Sequence, residues 1–210
     1  MLETISNCPI CESTHLKHHI DCKDHLYSGD TFSIQKCTNC GFVLTNPRPN
    51  QENIVKYYKS ANYVSHSNKS NSPINIIYRI IRKYTLYQKL RMINRFATQG
   101  SLLDYGCGTG HLIGYAQSKG WKVTGIEPDS DARQIATNAI KEARLFSSID
   151  GLGNETFNVI TLFHVLEHIH ELNSTVSKLV ASMSEQGILV VAVPNYNSHD
   201  AQKYKADWAA

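Results

Sequence analysis

Apolar residues after position 100 gather into short runs, separated by stretches where they recur every three or four positions. The runs at 101–105, 122–126, 157–163 and 188–193 have strand length, and a weaker one at 144–147 predicts a short further strand. Residues 157–163, Phe-Asn-Val-Ile-Thr-Leu-Phe, are almost continuously apolar, as a central parallel strand covered on both faces requires. The intervening stretches predict helices near 112–119, 129–139 and 171–183, the second capped by Asp129 or Ser130. Such alternation implies an α/β domain with a mostly parallel, doubly wound sheet. Residues 73–97 carry another helical pattern, with Ile74, Ile77, Ile81, Tyr84, Leu90, Ile93 and Phe96 at its apolar positions. After Pro194 the alternation stops and the chain turns polar.

The N-terminal part has a different logic. Every cysteine except Cys107 lies within residues 1–46, which predicts a metal-binding module there, a helical linker or lid over 47–99, and the α/β domain over 100–210. Cys8-Pro-Ile-Cys11 and Cys37-Thr-Asn-Cys40 are two C-x2-C pairs. Each lets two thiolates converge on one tetrahedral ion, and Gly41 permits a tight turn behind the second pair. The set predicts a structural Zn2+ in a small zinc-ribbon-like module. With four thiolates its coordination sphere is full, so no catalysis is expected there. Cys22, His15, His18, His19 and His25 lie between the pairs and are read as surface or packing residues, although each has the chemistry to replace a ligand. The alternative for the whole cluster is a set of reduced core cysteines.

Composition sets bounds. The 210 residues allow one full domain with a small appendage; 41% hydrophobic and 19% charged content fit a soluble globular protein. A net charge of +3 is too small to argue for nucleic acid by itself. The start, Met-Leu-Glu-Thr-Ile-Ser-Asn, has neither a basic nor an apolar stretch, so a cytoplasmic protein with reduced or metal-bound cysteines is expected. The longest apolar runs are strand length, and no membrane partner is expected.

The chemistry centres on residues 101–129. Leu102 and Leu103 lead into Asp104, then Gly106, Gly108 and Gly110 alternate with Cys107 and Thr109, and the next strand ends on Glu127. Strand, glycine turn, helix and a second strand ending in a carboxylate suit a nucleoside cofactor. Glycines admit close backbone approach, and the acid can accept both ribose hydroxyls. Asp104 sits where a pyrophosphate site has a small residue, and its charge suits a cationic amine better.

These features resemble motif I of the class I S-adenosylmethionine (SAM) methyltransferases. The resemblance runs from Ser101 to Asn195 through Gly-Ile-Glu-Pro-Asp at 125–129, Phe-Asn-Val-Ile at 157–160, His-Val-Leu-Glu-His at 164–168 and Gly-Ile-Leu-Val-Val-Ala-Val-Pro-Asn at 187–195. It implies a Rossmann-like sheet, here lacking the family's last two strands, so the chain is expected to be a fragment of a longer protein; the alternative is a small variant that closes its sheet edge with the N-terminal section. It implies SAM as cofactor. Asp104 would hold the amino group, the Gly106–Gly108 backbone would pass under the methionine part with Cys107 as a small residue fitting the turn, and Glu127 would hold the ribose. Pro128, Ser148 and Ile149 would flank the adenine. His164 would border the methionine part, and Glu167 and His168 would face the substrate as proton-accepting, substrate-orienting or purely structural groups. Tyr57, Tyr58 and Tyr63 sit where related enzymes carry a lid over the cofactor.

His164-Val-Leu-Glu167-His168 also matches the H-x-x-E-H pattern of inverted zinc peptidases, but it follows directly on a strand and lacks a third ligand in context. The helical stretch at 73–97 holds Arg79, Arg82, Lys83, Lys89, Arg91 and Arg95 with no acid between them, either a basic face for RNA or a nucleotide-linked substrate, or a solvated face. The resemblance favours methyl transfer to a small molecule such as a sugar or quinol. The alternatives are a ribosomal RNA base methyltransferase with a zinc ribbon and a non-catalytic SAM- and zinc-binding interaction module. An open sheet edge would favour self-association.

Overall fold

The computed structural model describes residues 1–25, 28–54, 57 and 73–208. The chain divides into two compact units, Met1–Ser67 with Pro194–Ala210, and Asn68–Val193. Tyr58 and Tyr63 lie outside the described residues.

The first unit contains β1 (Leu2–Glu3), β2 (Leu16–Lys23), β3 (Thr31–Cys37), β4 (Val43–Thr45) and β5 (Arg48–Pro49). β2, β3 and β4 form an antiparallel sheet in that order, and β1 pairs with β5. Buried Asn46 fastens the N-terminal strand segment: its side chain accepts the Ile5 N–H and donates to the Ile5 carbonyl and Gln35, each at 2.8 Å.

The second unit runs α1 (Pro73–Ile93), β6 (Ser101–Tyr105), α2 (His111–Gln117), β7 (Lys122–Ile126), α3 (Ser130–Ala139), β8 (Arg144–Phe146), β9 (Phe157–Phe163), α4 (Leu172–Ala181) and β10 (Met183–Ala192). Its sheet has the order β10-β9-β6-β7-β8, every pair parallel. Successive strand residues face opposite sides. Leu102, Val123 and Val159 pack with Leu90, Ile93, Ile113 and Trp121, whereas Leu103, Ile160 and Leu162 pack with Leu152 and Leu179. The sheet is therefore covered on both faces, as the apolar run of β9 requires.

Element ends differ from the sequence expectation where backbone geometry intervenes. α1 closes at Ile93, where the Arg95 and Phe96 N–H groups turn back by three residues onto the Met92 and Ile93 carbonyls and tighten the last turn. α2 begins at His111 and ends at Gln117, ahead of a turn through Gly120 at φ 91°. β10 begins at Met183, opposite Phe157, and breaks register before Ile188. Gly187 lies in that break, where a Cβ would stand 2.9 Å from the Phe157 carbonyl oxygen.

After the sheet, α5 (His199–Tyr204) is capped by the Ser198 hydroxyl, which accepts the Ala201 N–H. This segment belongs to the first unit. There Asp207 meets His25 at 3.0 Å, and Tyr196 stands edge-on to His19. Among the described residues, no helix is long and apolar enough to cross a membrane.

Candidate functional site

In the second unit β6 and β7 run side by side, with Asp104 opposite Gly125 and Tyr105 opposite Ile126, so their chain ends open onto one edge of the sheet. Ligands of open α/β sheets bind outside these carboxyl ends. Gly106, Gly108 and Gly110 turn the chain there with φ of 76°, 54° and 80°, a region that penalises any side chain. At Gly106 the space is also closed, since a Cβ would lie 2.4 Å from a Val165 methyl. The Gly106 and Cys107 N–H groups both donate to the Ile126 carbonyl, which ties the loop to the end of β7. Cys107 is buried and lies against Gly125, where a Cβ would stand 2.6 Å from its sulfur. Burial, then the charges of Asp104 and Glu127, push its thiol up to about 12, so it is a packing residue and not a nucleophile.

Two carboxylates converge on this loop. Glu127 is buried, accepting the Gly108 N–H at 2.8 Å on one oxygen and the Asp129 N–H at 2.9 Å on the other. Burial raises its pKa; the two N–H bonds and Arg133 oppose that, while Asp129 adds to it. Each carboxylate oxygen has a second lone pair, which leaves capacity for a diol. Asp104 is buried and accepts the Thr161 hydroxyl at 2.6 Å. Burial lifts it to about 6, against the opposing effects of Thr161 and Lys89 and with help from Glu127. A buried carboxylate short of a full positive partner fits a ligand that carries an ammonium group. The two acceptors thus fit a nucleoside that carries an amino group.

The remaining expected residues lie on three neighbouring segments. Pro128 is exposed just beyond β7. Ser148 and Ile149 start a 3₁₀ turn after β8, with Ile149 packed on the core. His164 follows β9 in a left-handed conformation, φ 60°, and its Nδ1 lies 3.7 Å from Glu167. Glu167 and His168 sit on a separate 3₁₀ turn, Leu166–His168, so His164 does not share one helical turn with them. His168 is lowered by crowding from neighbouring atoms, with Glu167 opposing and His164 adding to the shift.

Three residues are not assigned to this site by the sequence reading, which names Lys89 only as part of a basic helical stretch. Thr161 is a polar position inside the apolar run of β9, and that contrast was its signal. Lys89 comes from α1; its ammonium lies 3.8 Å from the centre of the Phe163 ring and is close enough to Asp104 for each to shift the other's pKa. Arg133 comes from α3 and donates to the carbonyls of Glu127 and Pro128, clamping the segment that carries the acid.

The first unit holds a separate candidate metal site. The sulfurs of Cys8, Cys11, Cys37 and Cys40 all lie within 4.8 Å of one another, with Cys8–Cys40 at 3.5 Å and Cys11–Cys37 at 3.6 Å. Four sulfurs at tetrahedral corners around zinc stand about 3.8 Å apart when each Zn–S bond is about 2.3 Å. All six cysteines are free thiols. Left-handed turns at Glu12 and Gly41 follow the two pairs, and the Gly41 N–H returns to the Cys37 carbonyl. Hydrogen bonds from Asn39 and Ser13 draw the Cys11 thiol down to about 6. Cys22 and the nearby histidines are not members of this cluster; His18 pairs with Asp21 at 3.0 Å, and Cys22 is a strand residue opposite Phe32.

Known proteins place the second unit. The chain is 27% identical over 156 residues to the ubiquinone biosynthesis O-methyltransferase of Rickettsia bellii (strain OSU 85-389), covering 70% of this chain and 63% of that protein's length. It is 31% identical over 104 residues to the protein of the same name from Rhodopseudomonas palustris (strain TIE-1), covering 46% and 40%. The fold is shared with the plantazolicin methyltransferase BpumL, solved with S-adenosylhomocysteine and a triazolic desmethylPZN analog, at a TM-score of 0.51 and 16% identity over 70% of this chain and 57% of that one. It is shared also with a SAM-dependent methyltransferase from Archaeoglobus fulgidus, at a TM-score of 0.50 and 19% identity over 60% and 59%. The family profile described as a methyltransferase domain matches residues 78–210, which takes in most of α1, the whole parallel sheet and the glycine loop, and the chain therefore belongs to the methyltransferase-domain family.

Proposed function

We propose that this chain is a SAM-dependent methyltransferase acting on a small-molecule acceptor, a sugar, a quinol or a related metabolite. The observation that carries the reading is the pair of buried carboxylates, Asp104 and Glu127, flanking a glycine loop at the carboxyl edge of a parallel sheet. The names of the relatives support the small-molecule class. When bound, SAM supplies an electrophilic methyl group on a sulfonium. Glu127 accepts the ribose hydroxyls and Asp104 accepts the amino group. Gly106, Cys107 and Gly108 give the backbone its close approach. Pro128, Ser148 and Ile149 border the base, and His164 borders the methionine part. Catalysis then consists of orienting the acceptor, excluding water and, for a hydroxyl acceptor, removing its proton. His168, whose pKa is shifted down, and Glu167 are the groups placed to take that proton or orient the acceptor.

The test begins with calorimetry. S-adenosylhomocysteine is expected to bind, and NAD and ATP are not expected to bind comparably. Glu127→Ala should weaken binding by about 1.5–3 kcal/mol, the scale of a hydrogen bond to a charged group. Unchanged affinity removes Glu127 from the ribose role. A screen with labelled SAM against fractionated small metabolites and RNA then identifies the acceptor. His168→Gln should lose turnover while keeping cofactor affinity. The four-cysteine cluster is proposed to hold one structural Zn2+.

A further inference from the structure

α1 carries two apolar faces. At about 100° per residue, Leu90 and Ile93 lie on one side, buried in the core. A second stripe, which starts about 40° from Leu90 and runs round to the far side, presents Ile76, Ile77, Ile80, Ile81, Tyr84 and Tyr87, each between 45% and 62% exposed. That is a continuous stripe of large side chains in water, where a monomeric surface normally scatters them singly. The charges around it have one sign. At the same spacing exposed Arg91 lies within the stripe and exposed Lys83 at its margin, whereas Arg79 lies on the Leu90 side; Arg95 follows the helix, and no acid occurs from Pro73 to Leu103. Arg82 and Lys89 are engaged inside the unit instead, by His111 at 2.8 Å and by Phe163.

We infer that this face of α1 docks on an anionic phospholipid surface. Isoleucines gain from entering the acyl boundary to a depth of about 5–10 Å. Tyrosines favour the headgroup level, where one end of the ring is apolar and the other wet. Arginine and lysine stems extend along the apolar surface and place their charges among phosphates. A second copy of the same stripe is a poorer occupant, because it brings the same cations and no acid to meet them. RNA is poorer too, since the centre of the face is aliphatic and offers bases little to stack on. The absence of a long apolar run in the sequence bears on spanning a bilayer and not on lying against one. The inference does not depend on the cofactor reading.

The test is sedimentation of the full chain with phosphatidylcholine vesicles, with and without phosphatidylglycerol. Binding is expected only with phosphatidylglycerol and should fall steeply with salt. Lys83→Gln and Arg91→Gln should each lower partitioning about fivefold. The double variant Ile80→Asp, Ile81→Asp should abolish it while the circular dichroism spectrum stays unchanged, as expected for exposed positions. No binding, equal binding to both vesicle types, or binding indifferent to all these substitutions overturns the proposal. So does a concentration-dependent dimer that the Ile80, Ile81 double variant dissolves, which gives the stripe to a second copy. RNA binding lost in Lys83→Gln but kept in the double isoleucine variant would give the face to nucleic acid.

Discussion

Asp104 is the residue whose environment makes the sharpest demand. Its pKa stands near 6 against an ordinary 3.8, chiefly because it is buried. Between those values the folded chain holds a proton that the unfolded chain has released, so this group's contribution to stability falls as pH rises from 3.8 to about 6 and is constant above. A ligand ammonium at this site favours the ionised form, so its affinity changes the opposite way. Binding of S-adenosylhomocysteine should strengthen as pH rises through about 6, and Asp104→Asn should flatten that step. Calorimetry across the range checks both, and a step that persists in Asp104→Asn assigns it to another group. Asp104 and Glu127 were legible because each is an acid placed directly after an apolar run and beside glycines. Lys89 and Arg133 were not. Their roles depend on how α1 and α3 lie against the sheet, which local pattern does not encode.

At the scale of elements, three strands with mainly apolar runs were read with their observed bounds, Ser101–Tyr105, Lys122–Ile126 and Phe157–Phe163. Helix ends and the start of β10 were not, because single backbone hydrogen bonds and one glycine break set them. The cysteine pairs were legible for another reason: the short C-x2-C spacing allows few geometries. Their turns now support a prediction. The sheet of β2, β3 and β4 is small, and its strands contain a single buried residue, Cys37. Small units of this kind draw folding free energy from their metal. Protein purified without added metal should carry one zinc per chain by elemental analysis. Chelation should lower the thermal midpoint and open the four thiols of the cluster to a thiol reagent. Four thiols that react at once in untreated protein, with no metal found, would refute the site.

For the whole molecule, the open question is the free side of β10. Among the described residues this strand pairs only with β9, and none of its residues is fully buried, in contrast to the central strands β6 and β9. Ile188, Leu189 and Val190 reach the two cores only in part, and Val191 is 42% exposed. An edge that is apolar and unpaired invites another strand. We therefore expect this chain to self-associate through β10, with an apparent mass by light scattering that grows with concentration. Val191→Lys should reduce that association, because a lysine on an edge strand blocks addition of a further strand while leaving the pairing with β9 intact. The Ile80, Ile81 double variant on α1 should leave it unchanged, which separates the two surfaces. A mass that stays monomeric at every concentration would show that the β10 edge is protected in solution. Association that survives Val191→Lys would place the contact elsewhere.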